Sequence, residues 1–224
     1  MARTEPLDPV AVVLAGGDPF PSLSRGCLPS ADIVIAADSG LHQAPHLGLE
    51  VDLVVGDLDS ADPVAVERAT ARGARIERHP RDKDATDLEL ALDAARARGA
   101  ARVIVIGGTG GRLDHFLGNV ALLGADKYAP MRVELRSAEG TVTVVRGGDP
   151  PLVIDAIEGD TITLLPAGGG ALAITTHGLE YPLRAEDLPT GTTRGVSNVV
   201  AARPATVALA RGTLLVVVPS GGAR

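Results

Sequence analysis

Residues 51–79 read VDLVVGDLDSADPVAVERATARGARIERH. An apolar run, 51–57, ends in Gly56-Asp57; a helix-like stretch, "PVAVERATARG" (63–73), stops at a glycine; a second short run, "ARIERH" (74–79), follows. Strand, helix and strand in this order form a crossover unit, whose two strands lie parallel in one sheet. The same alternation extends in both directions. "VAVVLAGG" (10–17), "DIVIAADSG" (32–40) and "RVIVIGG" (102–108) read as further strands, and "TDLELALDAARARG" (86–99) and "LDHFLGNVALLG" (113–124) as further helices ending in Gly. The strands are rich in Val and Ile and nearly continuous in apolar character, as strands covered on both faces are. The pattern predicts an α/β fold with a Rossmann-like, mostly parallel sheet flanked by helices.

Beyond about residue 130 the texture changes to short runs broken by Gly, Pro and Asp: "RVELRS", "TVTVV", "PLVIDA", "DTITLLPA", "ALAITT" and "GTLLVVV". This predicts a small antiparallel sandwich or barrel. Two domains are expected, 1–130 and 131–224. Over 1–130 the chain carries 13 Lys and Arg against 19 Asp and Glu, a net of −6; over 131–224 it carries 8 against 9, a net of −1.

At 224 residues, 45% hydrophobic and 22% charged, the chain can bury a core without covalent staples. Cys27 is its lone cysteine, so no internal disulfide is possible. No apolar run reaches the roughly 20 residues needed to span a bilayer, and the start, MARTEPLDPV, lacks the apolar centre of a signal peptide. A cytoplasmic location, with no membrane, is expected. The net charge of −7 argues against nucleic-acid binding, which needs clustered Lys and Arg.

In open parallel sheets, ligands bind beyond the carboxyl ends of the strands. There this chain delivers carboxylates: Asp38 in "AADSG", Asp57 and Asp59 in "GDLDS", and Asp84 and Asp87 in "KDATD". Carboxylates crowded into one crevice repel, and each has a raised pKa unless a positive charge joins them. A divalent cation removes the conflict, and hard oxygen ligands suit Mg²⁺. By itself "GDLDS" is equally readable as a turn, and Thr86-Asp87-Leu88-Glu89 has the form of a capping box with Thr86 as N-cap. "GGTGGRLDH" (107–115) lacks the Lys-Ser/Thr ending of a Walker A loop and alone reads as a strand-to-helix turn. The adjacent Arg112, a bidentate phosphate partner, makes Gly108, Gly111, Arg112 and His115 candidates for binding a nucleotide. Lys83 is one of only two lysines, against 19 arginines. His42, His46, His79 and His177 show no partner pattern.

Taken in order, "AADSG", "VDLVVGDLDS", "KDATDLELAL", "VIGGTGGRLDH" with "GN" shortly after, "GLEYPL" and "GVSN" resemble the thiamine pyrophosphokinases over roughly residues 10–200. The resemblance implies a C-terminal β-sandwich, a homodimer, and Mg²⁺-dependent conversion of ATP and thiamine to AMP and thiamine diphosphate. It implies that Asp38, Asp57, Asp59 and Asp87 are metal-site acids, with Asp57, Asp59, Asp87, Arg112 and Asp114 catalytic. Lys83, Thr86, Arg112 and Asp114 match positions near nucleotide and substrate, and Ser197 and Asn198 match a sandwich-domain loop that completes the site. Asp114 would either orient Arg112 or accept the hydroxyl proton. The chain has no Trp, two Tyr and two Phe, few rings for stacking on thiamine. Two alternatives follow: a diphosphokinase for another alcohol, such as a hydroxymethyl pterin, or a catalytically silent nucleotide- or thiamine-binding protein.

Overall fold

Val10–Leu14 (β1), Ile33–Ala37 (β2), Leu53–Gly56 (β3), Arg75–Arg78 (β4) and Arg102–Ile106 (β5) form a parallel sheet in the order β4-β3-β2-β1-β5. This is seen in a computed structural model that describes residues 8–18, 23 and 25–221; the start of the amino-terminal stretch, 1–7, lies outside the described residues. The fold divides into two units, residues 1–119 with 130–133 and residues 120–129 with 134–224.

In the first unit β1, β2, β3 and β5 are buried almost throughout, which their Val and Ile runs require. β4, "RIER", differs: its charged ends are exposed, as suits an edge strand that must not recruit another chain. The chain lays β2, β3 and β4 outward on one side of β1 and then returns to place β5 on the other. The direction of winding thus reverses between β1 and β5, and at such a switch point a crevice lies beyond the carboxyl ends of the strands.

The helices of this unit are Ala44–Leu47 (α1), Pro63–Ala71 (α2), Asp87–Ala97 (α3) and the start of Leu113–Leu123 (α4). α2 starts at Asp62, whose carboxylate accepts from the Val64 amide at 3.0 Å, with Pro63 pre-set at the first helical position. α3 starts at Thr86, whose hydroxyl accepts from the Glu89 amide at 3.2 Å, and it buries Leu88, Ala91, Leu92 and Ala95 against the sheet. Thr86→Ala should cost about 1 kcal/mol in denaturant unfolding, and Thr86→Ser should restore most of it. A 3₁₀ turn, Asp38–Gln43, and α1 follow β2, so the strand read at 32–40 ends at Ala37. No helix among the described residues is long and apolar enough to cross a membrane.

The second unit is antiparallel. Its strands are the greater part of Arg132–Ser137 (β6), from Glu134 on, with Gly140–Arg146 (β7), Leu152–Val153 (β8), Thr161–His177 (β9), Arg184–Leu188 (β10), Asn198–Val199 (β11), Thr206–Ala208 (β12) and Arg211–Pro219 (β13). Two expectations need correcting. "DTITLLPA" and "ALAITT" are not separate strands but the two halves of β9, because β13 pairs with both. The register jumps from Thr213↔Ala167 to Gly212↔Ala171, so 168–170 bulge out and the strand turns a corner. "PLVIDA" contributes only Leu152 and Val153 to the ladder. Because β9 bends, Ile162 and Leu164 of its first half and Ile174 of its second face one core with Val145, Val207 and Leu214: a sheet closed on itself as a sandwich.

Candidate active site

A cavity of about 670 Å³ lies at the crevice of the first unit. Its floor is two glycine loops held backbone to backbone: the Gly108 amide donates to Gly16 O at 2.8 Å and the Asp18 amide to Thr109 O at 3.0 Å. At Gly17, with φ +116°, a Cβ would lie 2.1 Å from Thr109 O, so only glycine permits the approach. Buried Gln43 donates to Ala15 O at 2.6 Å, and Asn119 donates to Gly108 O at 2.9 Å, fixing one loop each. The first loop, 15–18, reads in sequence as the tail of β1, so its part in the floor was hidden.

Asp38, Asp57 and Asp59 leave the ends of β2 and β3, and each offers a carboxylate oxygen within 4.8 Å of the others. Asp38 is only 6% exposed, and its Oδ1 has no hydrogen-bond partner. Its φ of +46° and that of Leu58, +62°, are left-handed conformations that non-glycine residues rarely hold, and both sit where the carboxylates are aimed inward. The turn reading of "GDLDS" is also realised, since the Asp59 amide donates to Asp57 Oδ1 at 3.3 Å. Gly56, φ +142°, lets the cluster close: a Cβ there would come 2.9 Å from Asp87 Oδ1 and 3.1 Å from Asp38 Cβ.

Burial pushes the Asp38 carboxyl up; its bond from the Ser39 amide opposes this, and Asp87, Asp57 and Asp59 add to it. A carboxyl raised in the fold above its unfolded value of 3.8 destabilises the protein once ionised. Stability is therefore lost as pH rises through the raised pKa and regained as it falls toward 3.8. Asp57 moves the other way. Burial raises it, but the Lys83 hydrogen bond, the Asp59 amide and the Lys83 and Arg81 charges prevail and hold it below the usual range.

Lys83 is 3.1 Å from Asp57 Oδ2 and 3.2 Å from Asp87 Oδ1. Asp87 thus joins the cluster through Lys83, outside the trio that closes within 4.8 Å. Arg81, which sequence reading passes over, is 2.9 Å from Asp59 Oδ2 and lines the cavity. Its signal was the position two residues before Lys83. Thr86, Gly108, Gly111, Arg112 and His115 also line the cavity, whereas Asp84 is exposed outside it. Asp114 is turned to Arg112, Oδ1 accepting from Nε at 3.1 Å, and the pairing holds its carboxyl at about 2.

Residues 25–135 match the family model of the thiamin pyrophosphokinase catalytic domain, and residues 151–214 that of the thiamin pyrophosphokinase vitamin B1 binding domain. The chain belongs to the thiamine pyrophosphokinase family. Among relatives, thiamine pyrophosphokinase of Bacillus subtilis is 27% identical over 92% of this chain and 96% of its own. A crystal structure of thiamine pyrophosphokinase from that organism superposes with a TM-score of 0.79 at 26% identity, covering 94% of this chain and 98% of the other. The thiamin pyrophosphokinase structure from Geobacillus thermodenitrificans gives a TM-score of 0.74 at 27% identity, covering 94% and 97%.

In this thiamine pyrophosphokinase family member the "GVSN" loop falls in the segment matched by the vitamin B1 binding domain. Ser197, φ +58°, donates its amide to Thr163 Oγ1 at 3.1 Å. Buried Asn198 accepts from the Tyr181 amide at 3.1 Å and donates to Tyr181 O at 2.8 Å, clamping "GLEYPL" by its backbone while Tyr181 as a whole stays 62% exposed.

Proposed function

We infer that this chain is a thiamine diphosphokinase, transferring the terminal diphosphate of ATP to the hydroxyl of thiamine. The observation that carries the reading is the carboxylate trio and its cations above a glycine-lined floor, in a chain matched by both family models. The thiamine oxygen attacks the β-phosphorus, the bond from that phosphorus to the α,β-bridging oxygen breaks, and AMP leaves as the hydroxyl proton is released. Such transfers ask for positioning and charge stabilisation more than covalent help.

The donor set fits Mg²⁺: three convergent carboxylates, one of them with a buried oxygen lacking any partner, suit a hard cation. Asp38, Asp57 and Asp59 would hold it, with Asp87 beside them, and when bound it supplies charge neutralisation along the triphosphate. Lys83 and Arg112 offset phosphate charge, and Gly108, Gly111, Thr86 and His115 line the nucleotide's side of the cavity. Asp114 orients Arg112; a carboxyl held at about 2 is a poor proton acceptor, which disfavours the alternative role.

Ser197 and Asn198 serve the acceptor. Tyr181 is the exposed aromatic residue among those described, with Tyr128 buried, and its clamped backbone makes it a rigid stacking platform for a heterocycle. Tyr181→Ala should raise the KM for thiamine about fivefold with kcat little changed, since stacking contributes roughly 1 kcal/mol. An unchanged KM removes Tyr181 from the acceptor site. The 1–130 segment is then the catalytic domain and 131–224 the acceptor-binding one. A cytoplasmic homodimer completes the reading, supported by the family resemblance and by Leu113 and Leu117, exposed four residues apart on α4; sedimentation tests the dimer.

The deciding experiment incubates the protein with Mg·ATP and thiamine, or with a hydroxymethyl pterin instead, and measures AMP and the diphosphorylated acceptor. Thiamine diphosphate is expected. Product from the pterin alone would move the function to that acceptor, and no product above an enzyme-free control would refute catalysis.

A further inference from the structure

Arg81 and Lys83 stand two residues apart on the loop joining β4 to α3, and each is paired to a different carboxylate of one trio. Lys83 holds Asp57 Oδ2 at 3.1 Å and reaches Asp87 Oδ1 at 3.2 Å; Arg81 holds Asp59 Oδ2 at 2.9 Å. Together they bring two positive charges, the charge of one divalent cation, to two of the three carboxylates that converge. The carboxylates thus have two sets of partners, the loop's cations or a hard metal ion. The loop's cations also have two, since ammonium and guanidinium bind phosphate as readily as carboxylate. Their settings are graded: the Lys83 and Asp57 side chains are each 14% exposed, whereas that of Arg81 is 83% exposed, free to swing on its stem.

We propose that Arg81 and Lys83 form a counter-ion latch, bound to Asp59 and Asp57 until the metal–nucleotide complex arrives and then passed to its phosphates. Arg81 thereby becomes a further nucleotide-binding residue. The latch couples the two ligands: carboxylates released by the loop take the cation, and phosphates take the loop. It also keeps Asp57 and Asp59 from facing each other uncompensated. The inference rests on the diphosphokinase reading, yet its test needs no acceptor and no turnover.

The experiment measures two affinities by calorimetry, for Mg²⁺ alone and for the Mg²⁺ complex of a non-hydrolysable ATP analogue, in the wild type, Lys83→Gln and Arg81→Gln. The latch predicts opposite shifts. Mg²⁺ alone should bind about tenfold more tightly to Lys83→Gln and about threefold more tightly to Arg81→Gln, because a competing cation is gone. The Mg²⁺–analogue complex should bind each variant several-fold more weakly, because a phosphate partner is gone. If the two affinities weaken together, or Mg²⁺ alone binds no more tightly, the latch is refuted and the pairs are structural. Arg81 is too exposed for its removal to unfold the chain, so that variant decides even if Lys83→Gln melts early. Loss of the diphosphokinase reading looks different: no thiamine diphosphate forms while the opposite shifts persist.

Discussion

Asp57→Asn and Asp59→Asn should each lower kcat by at least about a hundredfold, the scale on which a charge-stabilising group at a transferring phosphate acts. An asparagine keeps the shape and the turn-forming oxygen but loses the anionic charge a hard cation needs. The fold should survive in both cases. Asp59 pairs with exposed Arg81 and accepts from the Ser60 hydroxyl at 3.0 Å, exposed contacts of the kind that contribute little to stability. Asp57 is more enclosed, but Asp87 remains to hold Lys83, so the ammonium is not stranded. Steady-state assays and thermal melts side by side check the claim, with Asp84→Asn, exposed on the same loop as Lys83, as a control of normal turnover. Near-normal kcat in either variant would remove that carboxylate from the site.

The largest stability effect is expected at a buried arginine. In the second unit the Arg146 side chain is buried, and its guanidinium closes the carboxyl end of α4, donating to Ala125 O at 2.9 Å and at longer range to Leu123 O and Gly124 O. It also donates to Thr213 Oγ1 of β13 at 3.0 Å. Burial pushes its pKa down, with Asp126 and Asp149 opposing, but an arginine so placed stays charged. The last carbonyls of a helix have no partner within the helix and carry its negative end, so a cation there meets both needs. Arg146→Ala would take this donor from the buried Leu123 and Gly124 carbonyls and from Thr213, while Ala125 O keeps the Tyr128 amide at 3.0 Å; the cost should be about 3 kcal/mol, lowering Tm by on the order of 10 °C. Arg146→Lys should recover only part, because one ammonium cannot span the helix end and β13 together. A Tm within a couple of degrees of wild type for Arg146→Ala would show that water replaces the guanidinium.

The parallel sheet was legible because fully covered strands must be apolar, and the runs at 10–14, 33–37, 53–55 and 103–106 are apolar at every position. The start of α3 was legible too, since Thr86 is a short polar side chain before apolar periodicity and caps as that pattern requires; Asp62 caps α2 by the same chemistry. The single bent β9 was not. A glycine-rich break looks the same in sequence whether a strand ends there or turns a corner, and only the continued pairing of β13 on both sides distinguishes them.

The site divides in the same way. Which acids could meet was set by the sequence, because each stands just after a strand of one parallel sheet and those ends share an edge. What the tertiary structure alone decided is who holds them. Arg81 and Asp59 are 22 residues apart in the chain and Lys83 and Asp57 are 26 apart, and a pairing across such a span depends on how the loop after β4 folds back over β3. Local pattern fixes the period of burial and the chemistry at each strand end; the partner of a charge is fixed by distance in space, which no local pattern encodes.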